Sequence, residues 1–193
     1  MTETRALIAS IKAGNTAAYQ SFIEKYKRLV IHIVFRMVSN ATDREDLCQD
    51  VFVKVYQHLN AFRYQAKVST WIAKIAYNTC INHLQKKKIP LFDDRTPETE
   101  SLENVTGNHA LPDLFVEDQD VASRLQGEIN RLDIRYRTIL TLYHLEEMSY
   151  AEIGKIMDMP EGTVKSHLFR ARKQLKEKLL SKYRIEELWN AST

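Results

Sequence analysis

Stretches with an apolar residue every three or four positions alternate along this chain with stretches that have no such rhythm. Leu7, Ile8 and Ile11 share one face and predict a short first helix, which Gly14 ends. A long second helix begins near Asn15 or Thr16. It carries Phe22, Ile23, Tyr26, Leu29, Val30, Ile33, Val34 and Met37 in phase until Ser39-Asn40 breaks the pattern. Thr42-Asp43-Arg44-Glu45 then has the form of a capping box, which opens a third helix with Leu47, Val51, Val55 and Leu59 inward. After a polar stretch at 60–68, a fourth helix starts near Ser69. It presents Trp71, Ile72, Ile75, Ala76, Thr79, Cys80 and Leu84, and stops at Lys86-Lys87-Lys88 and Pro90.

Between 90 and 120 the rhythm disappears. Three of the 4 prolines fall here, Pro90, Pro97 and Pro112, with Gly107 and many acids. Such a composition buries too little apolar surface to offset the entropy of ordering, and predicts a flexible linker. Helical pattern resumes with Val121, Leu125, Ile129 and Leu132, then Ile139, Leu140 and Tyr143. Ser149-Tyr150-Ala151-Glu152 is a second capping box, opening a short helix with Ile153, Ile156 and Met157. Beyond Asp158-Met159-Pro160, a last long helix carries Val164, Leu168, Ala171, Leu175 and Leu179. A short helix, a tight turn and a longer helix with a basic outer face form a helix-turn-helix. The expected fold is all-α, with two small helical domains at 1–89 and 121–184, a linker at 90–120 and a tail at 185–193.

Composition agrees. Only 5 Gly and 4 Pro in 193 residues leave too few turn signals for a β-rich design. The two cysteines, Cys48 and Cys80, lack metal-ligand or redox spacing and are expected to be reduced, partly buried thiols. The first residues lack the apolar core of a signal peptide, and no apolar run reaches the ~20 residues that cross a membrane. A cytoplasmic location, without membrane insertion, is expected.

Net charge is only +3, but it is unevenly spread. Positions 63–88 hold six bases and no acid; 91–120 hold nine acids against Arg95; 161–184 hold eight bases against two acids. Two basic blocks flanking an acidic connector suit either two surfaces for one polyanion or two solvated helix faces.

Three constellations carry candidate chemistry. In the last helix, Pro160 sits at or beside the first helical position. With Val164, Leu168 and Leu175 inward, Lys165, Ser166, Phe169, Arg170 and Lys173 lie outward. Lys and Arg can donate to guanine edges in a major groove, and an aromatic can contact the thymine methyl. Thr163 can donate to a phosphate, and Arg172 and Lys176 suit phosphate contacts. The second constellation interleaves Phe62, Tyr64, Trp71 and Tyr77 with Arg63, Lys67 and Lys74, a mixture suited to stacking on single-stranded bases while cations follow the backbone. Asn78 and Asn82 share a face that can meet base edges. The competing assignment places Trp71 and Tyr77 in the core. The third is the acidic run Asp43, Glu45, Asp46 and Asp50, with Asp43, Asp46 and Asp50 on one helical face. It suits Mg²⁺ ligands of a nuclease, partners of the helix dipole, or, with Gln49, a docking surface for a basic partner. Spacing does not separate these. No nucleophile system, phosphate-cradling glycine loop or HExxH pattern stands out.

Three motifs carry a family resemblance. Asp43-Arg44-Glu45-Asp46-Leu47-Cys48-Gln49-Asp50-Val51-Phe52 resembles the DxEDLxQ(E/D)xF stretch of sigma region two. Ser69-Thr70-Trp71-Ile72-Ala73-Lys74-Ile75-Ala76-Tyr77-Asn78 resembles its (F/S)xxWLxxIAxN segment. Glu161-Gly162-Thr163-Val164-Lys165-Ser166-His167-Leu168-Phe169-Arg170-Ala171-Arg172 is similar to the GTVKSRLxRAR signature of region four. The resemblance covers roughly 17–88 and 125–180, in the short form of the extracytoplasmic-function (ECF) group of RNA polymerase sigma factors.

This resemblance implies a non-catalytic protein, with no cofactor and no metal, that binds core RNA polymerase and promoter DNA. Asp43, Asp46, Gln49 and Asp50 would dock on a basic coiled coil of the polymerase β′ subunit, which chooses docking among the three uses of the acidic run. Phe62, Arg63, Tyr64, Lys67, Trp71, Lys74, Asn78 and Asn82 would hold the unpaired −10 element. Thr163, Lys165, Ser166, His167, Phe169, Arg170, Arg172 and Lys173 would meet the −35 duplex. An anti-sigma protein is the further expected partner. Two departures stand out: the loop reads Arg63-Tyr64-Gln65-Ala66-Lys67-Val68 where the family has Arg-Gly-acid-Ser, and His167 replaces a common Arg. The alternative is a helix-turn-helix regulator acting on duplex DNA without polymerase.

Overall fold

The computed structural model describes residues 2–88 and 119–183, which form eight α-helices and no strand. Helices α1 (Thr2–Lys12), α2 (Thr16–Met37), α3 (Ala41–His58) and α4 (Val68–Lys88) make a first group, with a 3-10 turn at Leu59–Ala61. Helices α5 (Gln119–Asn130), α6 (Ile134–His144), α7 (Tyr150–Met157) and α8 (Glu161–Lys182) make a second. Of the linker expected at 90–120, only Gln119 and Asp120 fall among the described residues, and they already belong to α5. The tail at 185–193 lies outside them.

Local chemistry sets the helix ends. Gly14, at φ +88, turns the chain between α1 and α2, where a Cβ would be strained. Asn15 then caps α2, its side chain accepting from the Ala18 amide at 3.0 Å. The start of α3 differs from expectation. Its cap is Asn40, which accepts from the Asp43 amide at 3.0 Å, and Thr42 lies inside the first turn instead of capping it. Asn is among the strongest caps and stands two residues earlier, so the helix begins there. The Ser149–Glu152 box forms as expected, with Ser149 N donating to Glu152 Oε2 at 2.9 Å and Glu152 N to Ser149 Oγ at 3.3 Å.

In the first group α2 packs on α1, α3 and α4, and α3 packs on α4. Phe22, Val30 and Ile33 of α2 are buried, as are Ile8, Val51, Val55, Ile72 and Ala76. Each of these side chains, apart from the small Ala76 methyl, stabilises the fold by about 1.5–3 kcal/mol relative to exposure. Cys80 is buried and Cys48 half-buried, both free; burial pushes their thiols up to about 12 and about 11. In the second group α8 packs on α5, α6 and α7 around Ile139, Leu142, Ile153, Ile156, Val164, Leu168 and Ala171. Glu128 of α5 is buried and accepts from Lys182 (2.8 Å) and Arg131 (2.5 Å). Burial pushes that carboxyl up, but the Lys182 hydrogen bond and the charges of Arg131, Lys182 and Lys178 hold it below its ordinary value.

The two groups pack on each other, α2 against α6 and α4 against α7. No periodicity pointed to this interface, and much of it is polar. Buried His32 of α2 meets Glu146, just beyond α6, at 2.5 Å. Arg36 donates to Gln126 Oε1 and, at 3.2 Å, to Asn130 Oδ1. The last turn of α2 has free carbonyls, and two guanidinium groups answer them. Arg44 donates to Val38 O (2.6 Å) and Phe35 O (3.4 Å), while Arg137, from the other group, donates to Met37 O (3.4 Å). Burial pushes Arg36 and Arg137 down to about 10; Arg137 and Arg44 push Arg36 the same way.

Candidate nucleic-acid interface

Helix α8 presents the outer face the sequence predicts. Val164, Leu168 and Ala171 are buried against α6 and α7, which locks the helical phase. Lys165, Ser166, Phe169, Arg170 and Lys173 are therefore exposed, and Phe169 keeps 68% of its surface in solvent. The ring stands among the exposed cations Lys165, Arg170 and Lys173 and is open to contact from solvent. Ser166 donates to Thr163 O at 3.0 Å, and Lys173 lies 3.9 Å from Glu177. Thr163 is half-buried.

Two members of the expected −35 set face elsewhere. His167 is half-buried, its ring edge-on to Tyr136 at 5.7 Å with Nδ1 buried and without a hydrogen-bond partner. One residue after Ser166 on a helix lies about 100° round, which carries His167 toward α6 instead of the groove face. Arg172 is exposed but engaged: its guanidinium lies 5.0 Å over the Tyr143 ring and donates to His144 Nε2 at 3.2 Å. That contact suits a cation braced beside a phosphate better than one reaching into a groove. Burial, followed by the Arg172 charge, lowers the His144 pKa.

The turn before α8 is held by an unforeseen glycine. Asp158 ends α7 in the left-handed region (φ +53), and the Met159 amide donates to Gly154 O at 3.0 Å. A Cβ on Gly154 would stand 2.7 Å from Met159 O. Gly162, in the first turn of α8, has open space around it.

Around α4 the expected set separates into three. Arg63, Asn78 and Asn82 are exposed. Phe62, expected as a stacking ring, is buried; its centroid lies 4.8 Å from Trp71 and 4.9 Å from Tyr64, so it supports the two other rings from beneath. Trp71 is half-buried and Tyr64 exposed, with the Arg5 guanidinium 5.1 Å over the Tyr64 ring. Tyr64 adopts φ +57, a left-handed conformation rare for a bulky aromatic and costing of order 1–2 kcal/mol. It stands where the resembling family has Gly.

Lys67 and Lys74 form the third subset, and both are paired with the second group. Lys67 lies 3.0 Å from Glu152, which also accepts from the buried Thr70 hydroxyl at 3.3 Å. Lys74 lies 2.6 Å from Asp158. Burial pushes the Glu152 carboxyl up, but the Ser149 amide, the Lys67 and Ser149 side chains and the Lys67 charge overcome it and hold the group at about 2. A carboxyl lowered by folding adds stability above its ordinary value near 4.5 and loses it as pH falls toward 2. The difference in Tm between the wild-type chain and Glu152→Gln is therefore expected to be largest above pH ~5 and to shrink steadily toward pH ~2. A pH-independent difference across thermal melts would contradict this.

On α3, Asp46, Gln49 and Asp50 are exposed, while Leu47 and Val51 anchor the helix from beneath. Asp43 leaves this row: it is half-buried, with its Oδ2 3.4 Å from His83 Nε2 of α4. The docking set expected from the sequence is thus reduced to three at the surface. Among the described residues no three His, Cys, Asp or Glu side chains are grouped as metal ligands, and no helix is long and apolar enough to cross a membrane.

Comparison with known proteins bears on all three surfaces. The Sigma-70 region 2 family matches residues 22–89, and Sigma-70, region 4 matches 122–175. ECF RNA polymerase sigma factor SigW of Bacillus subtilis is 31% identical over 176 residues, covering 89% of this chain and 94% of the relative. The ECF RNA polymerase sigma-E factor of Haemophilus influenzae is 32% identical over 181 residues, covering 91% and 94%. Two solved structures share the fold. CnrH in complex with the cytosolic domain of CnrY has TM-score 0.65 at 17% identity, over 93% of this chain and 98% of that one. The sigma factor RpoE of Bartonella quintana, solved with the anti-sigma factor NepR, has TM-score 0.61 at 19% identity, over 86% and 98%. The matched regions hold the acidic row, the aromatic-basic helix and the helix-turn-helix together in one chain, which belongs to the ECF RNA polymerase sigma factors.

Proposed function

We propose that this protein is a non-catalytic specificity subunit that binds core RNA polymerase in the cytoplasm and directs it to promoters. The observation that carries the proposal is the division of its surface into three chemically distinct parts. Exposed Asp46, Gln49 and Asp50 suit a basic partner, and the β′ coiled coil is the partner the family implies. Arg63, Tyr64, Lys67, Trp71, Lys74, Asn78 and Asn82, standing on Phe62, suit unpaired bases and their phosphates. Lys165, Ser166, Phe169 and Arg170 suit duplex base edges, with Thr163, Arg172 and Lys173 at phosphates.

In this proposal residues 1–89 dock on polymerase and hold the melted −10 element, and residues 121–184 bind the −35 duplex. Asp43 and His167 act indirectly, Asp43 by tying α3 to α4 and His167 by bracing α8 on Tyr136. An anti-sigma protein is the proposed inhibitor, as in the RpoE complex with NepR.

In vitro transcription with core polymerase on a randomised promoter library tests this directly. The wild-type chain is expected to yield discrete starts preceded by two sequence elements at fixed spacing. Arg170→Ala is expected to relax one position of the upstream element, costing about 1–3 kcal/mol there. An equal loss on every sequence would make Arg170 a phosphate contact, and no core-dependent starts would overturn the proposal.

A further inference from the structure

The first helix brings to the strand-binding surface a cation that lies in none of the three motifs. Arg5, Ile8 and Lys12 are spaced by three and four residues, so they share one face of α1. Ile8 is fully buried, which fixes that face inward, and α1 packs on both α2 and the 3-10 turn at Leu59–Ala61. The two cations reach either end of the segment 60–64. Lys12 Nζ donates to Asn60 O at 3.5 Å, and the Arg5 guanidinium lies over the Tyr64 ring. Glu3, about 200° round the helix from Arg5, turns instead to Lys25 of α2 at 3.8 Å.

These contacts make a ladder that ends in solvent. The centroids of Trp71 and Phe62 lie 4.8 Å apart, those of Phe62 and Tyr64 4.9 Å apart, and the Arg5 guanidinium is 5.1 Å from the Tyr64 centroid. Phe62 is buried, whereas Tyr64 and Arg5 are exposed. Tyr64 keeps its left-handed backbone at φ +57, and strain of this kind persists where neighbours over-determine it, which is common at binding sites. Its neighbours here are Phe62 and Arg5.

The last rung is unoccupied by any acid. Among the described residues no carboxylate pairs with Arg5 or Arg63, whereas Lys67 and Lys74 each have one. A guanidinium is planar and weakly hydrated, and it stacks on nucleobases as it does on protein rings. With Tyr64 on one side, Arg5 keeps its other side in solvent.

We propose that one unpaired base of the promoter strand stacks on Arg5, so that α1 extends the −10 surface by one nucleotide. Tyr64 is the positioning residue beneath it, and its strained backbone aims the ring at the guanidinium. Every base has a π-face, so this rung accepts all four, with purines favoured modestly by their larger area. The inference rests on the −10 role proposed above for Arg63, Trp71 and Asn78.

The test uses holoenzyme, the full chain with core polymerase, on a promoter selected from the randomised library. Templates carry a preopened bubble over the −10 element, with a single abasic site walked along the non-template strand. Removing a base that stacks on a side chain costs about tenfold in affinity. At one position the abasic site is expected to weaken wild-type holoenzyme by that factor and to leave Arg5→Ala unaffected. The intact bubble should bind Arg5→Ala about tenfold more weakly than wild type. Tyr64→Gly, which removes the ring beneath Arg5, should silence the same position. Arg5→Lys keeps the charge without the planar face and should behave like Arg5→Ala. Melting temperatures of the free Arg5 variants should match wild type, because the side chain is exposed.

Full rescue by Arg5→Lys, or an equal loss at every abasic position in Arg5→Ala, would overturn stacking and leave Arg5 a phosphate contact. If no position is silenced while Asn78→Ala still alters bubble binding, the inference is overturned and the −10 role stands. If neither Arg5→Ala nor Asn78→Ala changes bubble binding, both fall. A library without core-dependent starts overturns the proposed function and this inference with it.

Discussion

Asp46→Arg with Asp50→Arg is expected to reduce binding to core RNA polymerase at least ~100-fold, seen as loss of co-purification at matched protein levels. Both carboxylates are exposed on α3 with Gln49 between them, while Leu47 and Val51 hold the helix phase from inside. Against a basic coiled coil, each reversal turns attraction into repulsion, and like charges facing one another across an interface cost several kcal/mol. At 1.4 kcal/mol per tenfold, two orders of magnitude is a conservative figure. The fold should tolerate the change, because exposed substitutions away from packed features move stability by no more than about 0.5 kcal/mol. Asp43→Asn is the informative contrast. That carboxylate faces His83, so its loss should loosen α3 on α4 and change docking far less. Undiminished co-purification of the double reversal would remove the docking role from this row.

Gly154→Ala should be the most damaging single methyl in the second helical group. The added carbon would lie 2.7 Å from Met159 O, a backbone atom of the turn that Asp158 enters with φ +53. A flexible side chain could swing aside; this carbonyl cannot move without shifting Pro160 and the first turn of α8. Overpacking of this kind costs about 1–3 kcal/mol. It should appear as a drop of several degrees in Tm together with weakened duplex binding, because the exposed face of α8 is aimed by that turn. Gly162→Ala, with open space at its Cβ, is the matched control and should leave Tm nearly unchanged. Equal behaviour of the two alanines would show that the close approach at 154 is unimportant.

The comparison of these glycines shows where sequence pattern stops. Helices were legible because burial imposes a 3.6-residue rhythm: Val164, Leu168 and Ala171 point inward, so Lys165, Phe169 and Arg170 must point outward. Caps were legible in kind but not in register, since Asn40 and Thr42 are both good caps and only packing chooses between them. Phe62, Asp43 and His167 are less exposed than the sequence suggests, for one shared reason. Each has a chemistry suited to an exposed partner, yet each meets a side chain on a neighbouring element: Trp71, His83 and Tyr136. The contact between the groups left no trace in the pattern. Its pairs, such as His32 with Glu146, join polar residues 114 positions apart, and no local periodicity records that separation.

The end of α2 carries a consequence for the newborn chain. One of its last carbonyls, that of Met37, is met by Arg137, 100 positions later. A ribosome adds about 5–20 residues per second, and domains generally fold in order of emergence. For several seconds after α4 is made, the first helical group therefore exists with that carbonyl solvated and with Lys67 and Lys74 without their carboxylates. During that interval the first helical group stands alone in solvent, and each molecule completes the contact between its two groups only when translation has passed Asp158.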